Sequence, residues 1–227
     1  FRDYRTDVAL DVRQIRVALK RLRQLTRTGL ATELDLDETI DETCRNAGEI
    51  ELVFRSPRRN DVRLLLLMDV GGTMEPYYEP VSQLLTALHE ERGLREFRPY
   101  YFHNCIYDHV YTQARLTRAN AMPTGDLLRH LDERWKVAIV GDAAMHPSEL
   151  LEPHGGINPH STSPTPGIAW LHRIAGHFQR TVWINPDERE IWDRTHTTRF
   201  IRRLFPMFHL SVDGLGDAVQ ALVGARV

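Results

Sequence analysis

An aspartate closes an apolar run, and two glycines and a threonine follow it at once: residues 64 to 74 read LLLLMDVGGTM. Two chemistries use an Asp-x-Gly-Gly-Thr loop after a buried strand. One cradles the phosphates of ATP, as in sugar kinases. The other holds a divalent metal so that a partner's carboxylate completes its coordination. The first needs the loop inside a β-hairpin, with a second phosphate loop and a glycine-rich adenosine site further on. Here MEPYYEPVSQLLTALHEE follows, which reads as a helix with prolines only at its entry, and neither further loop is legible. An Asp-x-Asp phosphatase fits less well still, because the nucleophile's partner position is Gly71.

The metal chemistry sets a stricter requirement. Magnesium takes about six oxygen ligands and keeps several waters. Asp69 and the hydroxyl of Thr73 are too few, so further oxygens must come from loops after neighbouring strands. Thr124, in MPTGDLLRHL, starts a helix, and Asp142, in VAIVGDAAM, ends a buried strand. All four residues fall at C-terminal strand ends or adjacent helix starts. Asp126 and the backbone position Gly71 are additional candidates.

Positioning these residues requires a particular scaffold. VRLLLLMD (62–69) is a continuous apolar run, as in a strand buried on both faces. Helical and strand patterns then alternate: helix 77–93, strand 97–103, a short strand near 106–112, helix 125–134, strand 136–142, helix 165–178, strand 180–186, helix 197–205, strand 207–214 and a last helix from Leu215 to Val223. Such alternation implies an α/β fold with a doubly wound, mostly parallel central sheet and helices on both faces. Upstream, Val8, Val12, Ile15, Leu19 and Leu22 share one face of a helix over 7–28. An acidic helix over 35–47 follows, and EIELVF (49–54) alternates like a half-buried strand. The division expected is an N-terminal helical extension over 1–48 and an α/β domain over 49–227. The segment 144–166, rich in Pro, Gly, His and Ser, is expected as a long loop at the ligand-binding edge of the sheet.

The 227 residues carry a net charge of -2, which gives no reason to expect nucleic acid as partner. No signal peptide or membrane span is legible, and Cys44 and Cys105 look like reduced cytosolic thiols. The chain begins FRDYRTDVAL without an initiator methionine and reads as a piece of something longer. FHNCIYDH gathers His103, Cys105, Asp108 and His109, where a structural role outweighs a transition-metal site. His146, His154 and His160 are read as exposed loop residues.

Asp69, Gly71, Thr73, Thr124 and Asp142 together resemble the metal-ion-dependent adhesion site of the von Willebrand factor type A (VWA) domain, whose pattern is Asp-x-Ser-x-Ser, then a distant Thr and a distant Asp. Gly71 stands in place of the first serine and Thr73 in place of the second. The resemblance extends through RLLLLMDVGGTM, YYFHNCIYDHVY, KVAIVGDAAMHPSEL and IRRLFPMFHLSVDGL to the bacterial CoxE-like subgroup. It implies a six-stranded sheet with one antiparallel edge strand near 106–112, and a cytoplasmic, non-catalytic adaptor that works with a MoxR-type AAA+ ATPase on a client enzyme. It also implies Mg²⁺ (or Mn²⁺) at Asp69, Thr73, Thr124 and Asp142, in a site that is weak or empty unless water or a partner replaces the missing serine oxygen. Two alternatives stay open: a metal-independent structural interaction domain, and an ATP-using kinase or metal-dependent hydrolase.

Overall fold

Ile15, Ala18 and Leu19 fall on one face of the first helix, α1 (Val12–Leu19), which Asp11 caps by accepting from the Arg13 amide. In the computed structural model, which describes residues 11–22, 25–27, 29–91, 93–157 and 163–224, these three are buried, as is Leu22 just beyond. The helix is thus shorter than the 7–28 expected; Val8 lies outside the described residues.

Contacts divide the chain into two compact units, Phe1–Leu22 with Val62–Val227, and Arg23–Asp61. The break falls at these points rather than at 48/49 because α1 belongs to the core of the larger unit. The smaller unit holds β1 (Leu25–Arg27), β2 (Glu33–Leu34), α2 (Leu36–Arg45), β3 (Phe54–Arg55) and β4 (Arg58–Asn60). β1 pairs with β4 and β2 with β3, both antiparallel. Asp35 caps α2 and binds Arg55 at 2.8 Å; the Thr39 hydroxyl takes the Val53 amide at 3.0 Å. The expected strand over 49–54 is reduced to its last residue. Ile50, Leu52 and Phe54 are 75%, 58% and 49% exposed, so the alternating pattern marks a face that this chain leaves in solvent.

The larger unit is built on β5 (Arg63–Asp69). Leu65 and Leu67 enter one apolar cluster and Leu64, Leu66 and Met68 the other, as a run buried on both faces must. A turn of 3₁₀ helix (Gly72–Tyr77) leads into α3 (Tyr78–Glu90), then β6 (Glu96–Phe102), β7 (His109–Tyr111) and β8 (Ala121–Pro123). After these come α4 (Thr124–His130), β9 (Lys136–Val140), α5 (Pro147–Leu151), α6 (Gly167–His177), β10 (Arg180–Asn185), α7 (His196–Leu204), β11 (Met207–His209) and α8 (Val212–Val223). The strand order is β11-β10-β9-β5-β6-β7-β8.

Pairing is parallel from β11 through β6, with Met68 opposite Tyr101 on one side and Val140 on the other. β7 runs antiparallel to β6, where the antiparallel strand was expected. It is not the edge, however: β8, a seventh strand of three residues, pairs with it, His109 against Pro123. Three residues are too few for periodicity to register. Helices α1, α3 and α8 cover one face and α4 to α7 the other, which makes the fold a doubly wound α/β sheet.

The segment 144–166 is not a loose loop over its first part. It contains α5, whose Leu150 is fully buried and whose Glu149 is 2% exposed. His146 caps α5, and His160 lies outside the described residues. Trp170, Trp183 and Trp192 are buried. Arg202 pairs with Asp193 across the Trp192 ring, while Arg199 lies exposed beside His196.

If α1 is a core element, Ile15→Ala leaves a cavity beneath α3 and α8 and costs roughly 2–4 kcal/mol. Ile50→Ala, at a 75% exposed side chain, falls within about 0.5 kcal/mol of the parent. Urea unfolding of both variants decides; equal losses would refute the assignment of α1 to the core.

Candidate functional site

The strand order reverses between β5 and β9: the chain leaves β5 toward β6, β7 and β8, then crosses back to form β9 on the other flank. Open α/β sheets bind ligands outside the carboxyl ends of strands at such a switch point. Asp69 ends β5 and Asp142 lies two residues past β9, so both carboxylates arrive at this crevice.

Asp69 is 4% exposed. Its Oδ1 accepts the amides of Gly71 and Asn104, each at 2.8 Å. Its Oδ2 is buried and has no hydrogen-bond partner among the described residues. Burial is the main reason that the carboxyl is pushed up to about 7, against the two amide bonds; the charges of Asp142 and Glu149 add to the rise. Asp142 is also 4% exposed and also raised, by burial first; a hydrogen bond from the Thr73 side chain and the Ala144 amide at 2.9 Å oppose this, and Asp187 adds repulsion. Carboxylates therefore crowd a site in which none of the described bonds to Asp69 comes from a cation.

The loop after β9 is held in an unfavourable backbone. Ala143 has φ 58°, which costs a residue with a Cβ on the order of 1–2 kcal/mol. Three side chains hold it there. Asn185 donates to the Asp142 carbonyl at 2.7 Å, and Thr197 and Thr198 donate to the Ala143 carbonyl at 2.8 and 3.2 Å. Asp142 is thus positioned by β10 and the start of α7. Tyr77 donates to Asp187 at 2.6 Å, and burial with that bond pushes its phenol up to about 12.

Gly71 has a steric explanation. A Cβ there would lie 1.9 Å from Asn104 Oδ1 and 3.2 Å from Asp69 Oδ1. Asn104 sits just after β6 at φ 55°, a region asparagine tolerates, and its amide nitrogen donates to Glu149 at 3.1 and 3.2 Å. An amide oxygen therefore occupies the space into which a serine at 71 would project. Gly141 is small for a related reason: a Cβ there would come within 3.3 Å of Asp69 Oδ2.

The remaining candidates separate. Thr73 joins the carboxylates. Thr124 is 1% exposed at the start of α4, and its hydroxyl donates to the Tyr107 carbonyl at 2.5 Å; no bond ties it to Asp69 or Asp142. Asp126 faces Arg129 on the same helix. Asn104 and Glu149 are the residues that sequence reasoning missed as site members. Glu149 carried a local signal, its place three residues after His146 in a capping box, but nothing pointing at Asp69.

FHNCIYDH is spent on structure. His103 and Cys105 form an isolated bridge, and Asp108 accepts from the Trp170 indole at 3.1 Å. Among the described residues, no group of three or more His, Cys, Asp or Glu side chains could by itself hold a metal ion, at the carboxylate site or elsewhere. The Asp-x-Gly-Gly-Thr loop runs into the 3₁₀ turn and α3 rather than a hairpin, unlike the phosphate loop of a kinase. Beside it opens a largely apolar cleft of about 450 Å³, with Met74, Val81, Leu85 and Tyr101 in its wall and Tyr78, 75% exposed, among its lining residues.

Two outcomes follow from this geometry. Because the Asp69 carboxyl rises from 3.8 to about 7 on folding, its contribution to stability is fully present below pH 4 and is lost as pH rises through 7. In chelator at pH 8, Asp69→Asn should exceed the parent in stability by on the order of 2 kcal/mol and flatten the slope between pH 4 and 7; a parallel pH profile for both proteins would contradict the buried, unpaired carboxylate. Gly71→Ser should cost about 1–3 kcal/mol by overpacking, and Asn104→Gly in the same chain should recover most of it. Additive losses in that double mutant would show that the two side chains do not compete for one space.

A family model described as "VWA domain containing CoxE-like protein" matches residues 8–113, just under half of the chain. The match includes Asp69, Gly71, Thr73 and Asn104 and stops before Thr124, Asp142 and Glu149. No curated protein and no solved structure matches. VWA domains mediate protein interactions. The matched segment supplies α1, β5, α3, β6 and β7 of the doubly wound sheet, and over these residues the chain is similar to VWA-domain proteins of the CoxE-like subgroup.

Proposed function

We propose that this protein is a non-catalytic binding module whose sheet-edge carboxylates take a divalent cation, Mg²⁺ or Mn²⁺, to which an acidic side chain of a partner protein attaches. The observation that carries the reading is the orphaned Oδ2 of Asp69, buried beside Gly141 and repelled by Asp142. A carboxylate oxygen with no donor in a dry site is stable only when protonated or when a cation meets it. The donor set fits a hard cation: Asp69, Asp142, the Thr73 hydroxyl and the Asn104 amide oxygen would hold it. When bound, the ion offers an open coordination position. The chain's own part is to exclude water around Asp69, to hold Asp142 through Asn185, Thr197 and Thr198, and to offer the apolar cleft beside Gly71 to the partner's neighbouring side chain. As the family implies, the partners are a MoxR-type AAA+ ATPase and its client enzyme in the cytoplasm. Among the described residues no helix is long and apolar enough to cross a membrane.

A metal-independent interaction domain is the second reading. It is favoured by the attachment of the Thr124 hydroxyl to the Tyr107 carbonyl, away from both carboxylates.

Calorimetric titration of chelator-treated protein with Mg²⁺ separates them. The expected result is one site per chain, lost in Asp69→Ala and in Asp142→Ala with circular dichroism unchanged, together with release of the co-purifying partner in EDTA. Heatless titration and full retention of the partner in EDTA would overturn the metal reading and favour the second. Saturable ATP binding or phosphatase turnover by the purified chain would displace both.

A further inference from the structure

The smaller unit, Arg23–Asp61, cannot satisfy its own apolar residues. Among the described residues its single buried side chain is Thr39, at 8%. Eight of the thirteen large apolar side chains exposed among the described residues lie in it. They are ordered. Leu34 and Phe54 are direct cross-strand partners in β2 and β3, which puts them on one face. Ile50 and Leu52 precede Phe54 at intervals of two and are 75% and 58% exposed. Leu36 and Ile40 are spaced i, i+4 on α2 and are 63% and 59% exposed. Apolar positions repeated at strand and helix periods on solvent-facing sides are an interaction face rather than scattered surface residues.

Charge identifies what covers it. Between residues 33 and 51 there are eight acidic residues and one basic residue, Arg45. Arg27, Arg45 and Arg55 pair with Glu33, Glu42 and Asp35. The carboxylates of Asp37, Glu38, Asp41 and Glu49 have no ion-pair partner among the described residues. They lie between and beside the apolar positions on α2 and before Ile50. An anionic membrane and a nucleic acid are both repelled by such a rim.

We infer that residues 33–54 form a second docking surface, separate from the carboxylate site, for a partner-protein segment that carries aliphatic side chains flanked by lysine or arginine. The apolar side chains supply the contact area, and the acidic rim supplies attraction that weakens with salt.

The probe is an 18-residue amphipathic helix of leucine and lysine, with a leucine–glutamate helix and a scrambled leucine–lysine peptide as controls, added to the full chain in EDTA. The first should bind saturably, at least tenfold more tightly than either control. Raising NaCl from 50 to 500 mM should weaken it several-fold. Ile40→Glu with Leu52→Glu should weaken it at least tenfold with unchanged circular dichroism. Asp37→Asn with Asp41→Asn keeps every apolar contact and should weaken it several-fold. Hydrogen exchange should slow within 33–54 on binding. Binding that is indifferent to both variant pairs, or equal for all three peptides, overturns the inference. So does a dimer in sedimentation that Leu52→Glu dissolves, since a second copy would then be the occupant. The assay contains no divalent ion, so its failure leaves the carboxylate site untouched, and a failed Mg²⁺ titration leaves this surface standing.

Discussion

One carboxylate that the described residues leave half satisfied governs the upper edge of this sheet. Asp69 follows five consecutive buried residues of β5, so the strand that drives folding also carries an acidic group into the dry interior. Two backbone amides meet one oxygen, and among the described residues nothing meets the other. Burial of apolar strand area outweighs the cost locally, since each leucine of the run contributes roughly 1.5–3 kcal/mol. Folding free energy is thereby stored as an electrostatic need that a bound cation or proton removes. Sites of this type are expected where sequence rules conflict, because function requires an arrangement that stability alone would not select.

Around that carboxylate the chain arranges oxygen rather than positive charge. Asn104 reaches in from the end of β6, Asp142 from beyond β9, Glu149 from α5 and Thr73 from the 3₁₀ turn. Arginines are abundant elsewhere in the chain, yet none of the described ion pairs involves Asp69, Asp142 or Glu149. The rigidity of the surroundings is equally specific. Ala143 is kept in a left-handed conformation by hydroxyls of α7, so movement of that helix start would be felt at Asp142.

Much of this was readable from residue order. The apolar run of β5 needed no context, because a strand buried on both faces has no polar parity to conceal it. Asp69, Thr73 and Asp142 were findable as oxygen carriers at strand ends. Glu149 and Asn104 were not, because each reaches the site through a tertiary packing event: α5 folding back into the core, and a left-handed residue after β6. Gly71 could be read only as a missing ligand; that Asn104 fills its space is a fact of three dimensions. EIELVF misled for a different reason. Period two reports that one face of a segment is apolar, not that the same chain covers it. The break at 48/49 failed to coincide with the compact units because α1 looks like any amphipathic helix until its covering elements, α3 and α8, are in place.

Leu22 and Val62, 2% and 1% exposed, both belong to the apolar cluster that includes α3 and α8, and the 39 residues between them form the smaller compact unit. Joining such ends costs chain entropy that grows only as the logarithm of the span, about 0.6 kcal/mol for each doubling of its length. The scaffold is therefore nearly indifferent to how long or what shape that excursion is. Recognition properties can be rewritten there by insertion or replacement, while the strand that carries Asp69 keeps its register.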